Sequence, residues 1–289
     1  MPAGVKSTNL PTRPLGATGV EGTIFGLGGE GILRTFGYHK QASDVISAAL
    51  DEGVTYFDSA RAYAGSEQYY GTSLGKSRSS IFLTSKAHDR TRRGARSMLD
   101  QTLSNMHVSQ LDLWQLHDLR TWEELEEISA PGGAYEAFAE AKRAGKTRFI
   151  GVTGHYDPEV LLAAIERLKF DTVLIPVNPC EAQAEPFART VGTYAMTLGM
   201  GVIGMKVLSR GLLTNLARGP SLQELVNYAL SQPVHLIIIG CDSVEQVHMN
   251  AQAAHRFTPM PELQQRELED RLRSQAAKML YYRPTPSVS

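Results

Sequence analysis

Short apolar, β-rich runs alternate with stretches of helical spacing from one end of this chain to the other, and no other feature limits its fold as strongly. Eight such runs occur, near 23–27 (TIFGL), 55–59 (TYFDS), 81–85 (IFLTS), 111–116 (LDLWQL), 147–152 (TRFIGV), 172–177 (TVLIPV), 201–206 (GVIGMK) and 235–240 (HLIIIG). Helical spacing fills 41–52, 66–76, 91–106, 132–144, 158–169, 185–199, 221–231 and 243–254. Strands alternating with helices make βαβ units and a parallel sheet. Eight units in 289 residues predict an α/β fold, a closed (β/α)8 barrel occupying one domain over 1–289 with its core at about 12–255.

Punctuation supports these boundaries. Asp157 followed by Pro158 and Glu159 reads as an N-cap with proline in the first turn, and Asp242 with Glu245 as a capping box. Gly53 and Gly145 fall where helices should stop. Residues 12–22 predict a small hairpin closing the barrel floor, and 261–280 an amphipathic helix packed outside. The segment 118–131 is expected to be a loop at the barrel mouth, its acidic residues a solvated rim, and the tail RPTPSVS to be disordered.

Four side chains at successive strand ends carry the chemistry: Asp58, Tyr63, Lys86 and His117. In such a barrel the C-terminal strand ends form the reaction face, so these residues can converge. Reducing a carbonyl needs a proton on oxygen, and a phenol near its ordinary pKa is a reluctant acid. An ammonium from Lys86 would lower that pKa, Asp58 would keep Lys86 charged, and His117 would polarise the carbonyl oxygen. None of the four supplies a hydride, which implies a nicotinamide cofactor.

The arrangement resembles the catalytic tetrad of the aldo-keto reductases. The pieces FDSARAYAGSE, LTSKAH, LDLWQLHDL, GKTRFIGVTG, GVIGMKVLSRGLL and IIIGCDSVEQVHMNAQAA stand in that family's order and spacing. The resemblance implies an NADP(H)-dependent barrel oxidoreductase reducing an aldehyde or ketone, sugar-derived carbonyls included. It implies that Thr153 and Gly154, with His155 beside them, stand where the family holds the nicotinamide carboxamide, and that Leu174 replaces the family's glutamine. Met205 takes the place of the tyrosine that stacks on the ring. Leu208-Ser209-Arg210-Gly211 then looks like the pyrophosphate loop, with Lys206 pairing with the pyrophosphate, and Gly240, Cys241, Asp242, Gln246 and Asn250 hold the adenosine end. Gln246 and Gly240 replace the cations of strongly NADP-specific members, which weakens the case for a 2′-phosphate; NADPH is still expected first and NADH second.

The run Gly26-Leu27-Gly28-Gly29-Glu30-Gly31 fits G-x-G-x-x-G, but ILRTFGYHK, with Gly37 soon after, is a poor helix start. Gly28 and Gly29 are therefore assigned to a loop passing close to the nicotinamide. The substrate pocket is expected to draw on Tyr38, His88, Trp122 and His155, and Leu33, Phe36, Tyr38, Trp122 and Leu212 in its loops predict a partly aromatic lining. Two other readings compete: a cofactor-binding regulatory or scaffold subunit of the same fold with little turnover, and a non-redox barrel isomerase or lyase.

Bulk properties bound the partners. A net charge of −1 gives no nucleic-acid footprint and no polybasic membrane face. The N-terminus has no apolar secretory run, and HLIIIG is too short to span a bilayer. Cys180 and Cys241 are the only cysteines and offer no metal spacing, so no metal is expected and both thiols are expected buried and reduced. The reading is a soluble, cytoplasmic monomer or small homo-oligomer acting on a small carbonyl compound.

Overall fold

The computed structural model describes residues 10–283. Two short strands, β1 (Thr12–Pro14) and β2 (Glu21–Thr23), pair antiparallel. Eight strands then close a barrel in which every ladder is parallel: β3 (Phe25–Gly31), β4 (Tyr56–Phe57), β5 (Phe82–Ala87), β6 (Leu111–Leu116), β7 (Thr147–Thr153), β8 (Thr172–Pro176), β9 (Gly201–Met205) and β10 (Leu236–Cys241). The order is sequential, and β10 returns to β3. The predicted (β/α)8 barrel is the observed fold.

Alternation along the strands makes two apolar layers. Leu15, Tyr56, Phe82, Leu113, Leu174, Ile203, Leu236 and Ile238 form the cluster inside the barrel, while the larger cluster lies between the strands and the surrounding helices. The hairpin closes the floor as expected. Leu15 is fully buried in the inner cluster, and a Cβ on Gly16 would lie 2.5 Å from the Gly201 nitrogen. Burying such a leucine contributes roughly 1.5–3 kcal/mol.

The outer helices are α1 (His39–Asp51), α2 (Ser66–Ser73), α3 (Arg92–Asn105), α4 (Trp122–Ser129), α5 (Ala134–Arg143), α6 (Pro158–Arg167), α7 (Thr193–Thr197), α8 (Leu222–Leu230), α9 (Val244–His255), α10 (Glu262–Leu272) and α11 (Ala276–Met279). Asp157 caps α6 by accepting from the Glu159 N–H, and Gly53 and Gly145 follow α1 and α5 with φ of 78° and 73°.

Four expectations are corrected. The segment 118–131 is not all loop: the Thr121 hydroxyl accepts the Glu124 N–H, Glu123 and Glu124 suit the positive helix end, and Leu125 and Ile128 bury one face of α4. The cap of α9 is Ser243 rather than Asp242, because the Ser243 hydroxyl reaches the Gln246 N–H. The helix at 261–280 is broken by a turn at Arg273–Gln275, and the chain after α11 reaches the barrel mouth. Of the tail, Arg283 is ordered by an ion pair with Glu181, while 284–289 lies outside the described residues. Among the described residues no helix is long and apolar enough to cross a membrane.

Candidate active site

Asp58 follows β4, Tyr63 sits in the turn beyond it, Lys86 lies within β5 and His117 follows β6. The barrel brings all four together. Lys86 is 1% exposed, and its ammonium donates to both Asp58 carboxylate oxygens at 2.6 Å and to the Ser59 carbonyl at 2.8 Å. Those bonds use all three of its protons. The Thr84 hydroxyl donates to Asp58 Oδ1 at 3.0 Å, so the buried pair is doubly anchored. Lys86 Nζ stands 5.3 Å from the centre of the Tyr63 ring, and the His117 ring meets that ring edge-on at 5.7 Å.

The electrostatics differ from expectation at Tyr63. Burial first, then the carboxylates of Asp58, Glu30 and Asp118, push its phenol well above its ordinary pKa, against a smaller pull from Arg34. Lys86 does not lower it here, because Asp58 in direct contact neutralises the ammonium. The phenol is therefore fully protonated. His117 is pushed well below its ordinary value, by burial first and then by Lys86, the neighbouring His155 and His88, and Arg90. It is a neutral imidazole with one N–H to donate.

These groups open into a cavity of about 610 Å3, within the range of small-molecule sites. On the side expected to hold the cofactor, Thr153, Met205, Lys206 and Arg210 line the wall with Leu174. The Thr153 hydroxyl already accepts the Asp118 N–H at 2.8 Å. Lys206 Nζ and Arg210 Nε each lie 3.7 Å from Glu30, which holds the place of an anion between them. Lys206, Ser209 and Arg210 adopt φ of 61°, 47° and 57°, a left-handed conformation costly for such residues. Two apolar side chains beside two cations fit a nicotinamide with its diphosphate.

The other cofactor expectations fall outside the cavity lining. Ser209 is buried and donates its hydroxyl to the Met279 carbonyl at 2.7 Å, and Leu208 packs on the core. A Cβ on Gly28 would lie 2.8 Å from the Gly240 nitrogen, so both glycines serve the close meeting of β3 and β10. Gly29 faces the tetrad instead: a Cβ there would lie 2.7 Å from the Asp58 carbonyl and 2.8 Å from the Tyr63 ring. Gly154 packs near the Leu119 carbonyl. Cys241 is buried and receives the Asn250 amide at 3.3 Å, while Asp242 and Gln246 are exposed and bonded to each other.

On the substrate side His88 and His155 line the cavity. Tyr38, Trp122 and Phe36 do not, being 44%, 42% and 67% exposed, and Leu33 belongs to the core. The aromatic surface comes from Tyr281 and Tyr282, which sequence reasoning missed along with Glu30 and Arg34. The Tyr282 hydroxyl donates to Glu181 at 2.6 Å and accepts from Asn178 at 2.9 Å. Tyr281 lies under Arg210 and, with Tyr282, beside Lys206. The expected solvated rim is also corrected: Asp118 and Glu124 line the cavity, and Arg90 pins both of them and the His117 carbonyl.

A charge-paired lysine, a phenol and an imidazole thus meet at the mouth of a parallel barrel. Residues 24–224 match the Aldo/keto reductase family model, and the chain belongs to that family, an oxidoreductase family. It is 24% identical over 286 residues to L-galactose dehydrogenase of Arabidopsis thaliana, covering 85% of this chain and 88% of that protein. It is 30% identical over 214 residues to aldo-keto reductase YhdN of Bacillus subtilis, covering 68% and 62%. The holo form of aldo-keto reductase AKR11C1 from Bacillus halodurans superposes with a TM-score of 0.76 at 21% identity, covering 91% of this chain and 96% of that one. An aldo-keto reductase from Klebsiella pneumoniae in complex with NADPH gives 0.73 at 18% identity, covering 90% and 95%.

Proposed function

We propose that this protein reduces an aldehyde or ketone to the alcohol with NADPH, Tyr63 giving its proton to the carbonyl oxygen. The observation that carries the reading is the convergence of Tyr63, His117 and the buried Lys86–Asp58 pair on one cavity. Tyr63 holds the proton at its hydroxyl. The neutral His117 donates a hydrogen bond that orients the carbonyl. Lys86 and Asp58 fix the turn carrying Tyr63, Lys86 by its bond to the Ser59 carbonyl. The hydride is what the dinucleotide contributes when bound.

Met205 and Leu174 would face the nicotinamide, and Lys206 and Arg210 the diphosphate. NADPH is preferred because of the Klebsiella relative's complex. NADH follows, because Gly240, Asp242 and Gln246 offer a 2′-phosphate no cation. Burial pushes both free thiols up to about 12, which keeps them protonated and unreactive.

The test is Tyr63→Phe. Turnover should fall by about 10²–10⁴-fold, the usual worth of a positioned proton donor. NADPH affinity, read by fluorescence titration, should hold. Unchanged turnover sinks the mechanism. Absence of dinucleotide binding by the wild type sinks the redox reading.

A further inference from the structure

We propose that Glu30 is a built-in anion that competes with the dinucleotide diphosphate for Lys206 and Arg210, and that Arg34 is the cation that keeps Glu30 when those two turn to the cofactor. This rests on the dinucleotide-dependent reading above and adds how this chain sets its own affinity for the cofactor.

Glu30 belongs to β3, and its backbone is packed tightly against β10: a Cβ on Gly240 would lie 2.8 Å from the Glu30 carbonyl carbon. Its side chain lines the cavity together with Arg34, Lys206 and Arg210. The three cations hold it unequally. Arg34, four positions on, donates to Glu30 Oε1 at 3.1 Å. Lys206 Nζ and Arg210 Nε stand at 3.7 Å, longer than a normal hydrogen bond. Both of these also have aromatic company, Lys206 Nζ at 5.7 Å from the Tyr282 ring and the Arg210 guanidinium at 4.9 Å from the Tyr281 ring. Burial alone would raise the Glu30 carboxyl, but Lys206, Arg210 and Arg34 outweigh it and hold the group below its ordinary pKa. The carboxylate is therefore charged at neutral pH.

Two observations make Glu30 a competitor and not a fixed part of the proton machinery. Lys86 and Asp58 satisfy each other without it, so the tetrad does not need its charge. And three cations face this one carboxylate, so the cluster keeps an excess of positive charge beside a largely buried Lys206. Phosphate oxygens accept short, charge-assisted bonds from such cations. When Lys206 and Arg210 make them, Glu30 stays on its strand with Arg34 as its one remaining partner, close to a group of its own sign. Like charges at that range oppose each other. Neutralising Glu30 while keeping its shape should therefore tighten cofactor binding, which the loss of a merely structural contact would not do.

The experiment is fluorescence titration with NADPH, at low ionic strength, of the wild type, Glu30→Gln, Arg34→Gln and the double variant, each checked for folding by its thermal unfolding. Glu30→Gln should lower the Kd by about 10-fold, and added salt should shrink that gain. Arg34→Gln should raise the Kd by about 3- to 10-fold, because Glu30 then leans wholly on Lys206 and Arg210. In the double variant that loss should vanish, since no carboxylate is left for Arg34 to hold. Unchanged or weaker binding by Glu30→Gln overturns the proposal while the dinucleotide reading stands. A loss in Arg34→Gln that persists in the double variant overturns the role given to Arg34, because its guanidinium then meets the cofactor directly. Absence of NADPH binding by both the wild type and Glu30→Gln overturns the dinucleotide reading, and the proposal with it.

Discussion

The two sides of the barrel mouth are built by different means. On the tetrad side, Asp58 and Lys86 stand 28 positions apart on adjacent strands and form a closed, fully satisfied pair. On the other side the wall is held by contacts spanning much of the chain: Tyr282 to Glu181 across 101 positions and Ser209 to Met279 across 70. The first side spends its polar groups on each other in regular backbone. The second keeps Lys206, Ser209 and Arg210 at positive φ and cations shared with Glu30. Groups proposed to do the proton chemistry are thus preset, while groups facing the expected cofactor still have exchangeable partners.

The largest effect that would break this contrast is at the preset pair. Lys86→Met leaves Asp58 buried without its ammonium, a change that costs about 3–5 kcal/mol. Denaturant unfolding should show that loss, together with loss of turnover. A cost below about 1 kcal/mol would mean that water or a rearranged side chain replaces the ammonium easily, and that the pair is no more rigid than the opposite wall. Next comes Tyr282→Phe, which removes one hydroxyl between Asn178 and Glu181. Burial already pushes Glu181 up, against the pull of Arg283, so it should feel the missing donor. The expected cost is about 1–3 kcal/mol. Limited proteolysis should then cut the C-terminal segment faster than any other part of the barrel. Equal protection in both proteins would show that Arg283 alone holds the segment down.

The same contrast explains what could be read from the sequence. Eight strands, their order and the tetrad follow from local patterns, because a strand end fixes where its next residue points and adjacent strands bring those residues together. Asp58, Tyr63, Lys86 and His117 were legible for that reason. Tyr281 and Tyr282 were not: they follow a broken helix, and nothing local says that the chain turns back over the mouth. Asp118 and Glu124 were read as solvated because acidic residues in a presumed loop usually are. Thr121 with Glu124 was in fact a helix start, and the turn at Asp118 sends a second residue after β6 into the cavity beside His117. Tyr38 and Trp122 show the opposite error, aromatics assigned to a pocket that the fold leaves in solvent.

The smallest predicted effect concerns pH, and it tests whether the tetrad side is preset in protonation as well as in geometry. His117, His155 and His235 all lie below their ordinary pKa in the folded protein, with burial the largest cause in each. Such a group binds fewer protons folded than unfolded. Its contribution to stability is therefore complete above the unfolded value, near 6.5, and is lost as pH falls below that toward the folded value. Between pH 7.5 and 5.5 the Tm should drop, and the drop should be about 2–4 °C smaller in His117→Gln, which has no proton to gain. An identical drop in both proteins would mean that His117 titrates as freely in the site as in water. Turnover gives the complementary reading. With Tyr63 displaced upward and His117 downward, neither titrates near neutrality, so kcat/KM should stay flat between pH 6.5 and 8 while stability already responds below that range.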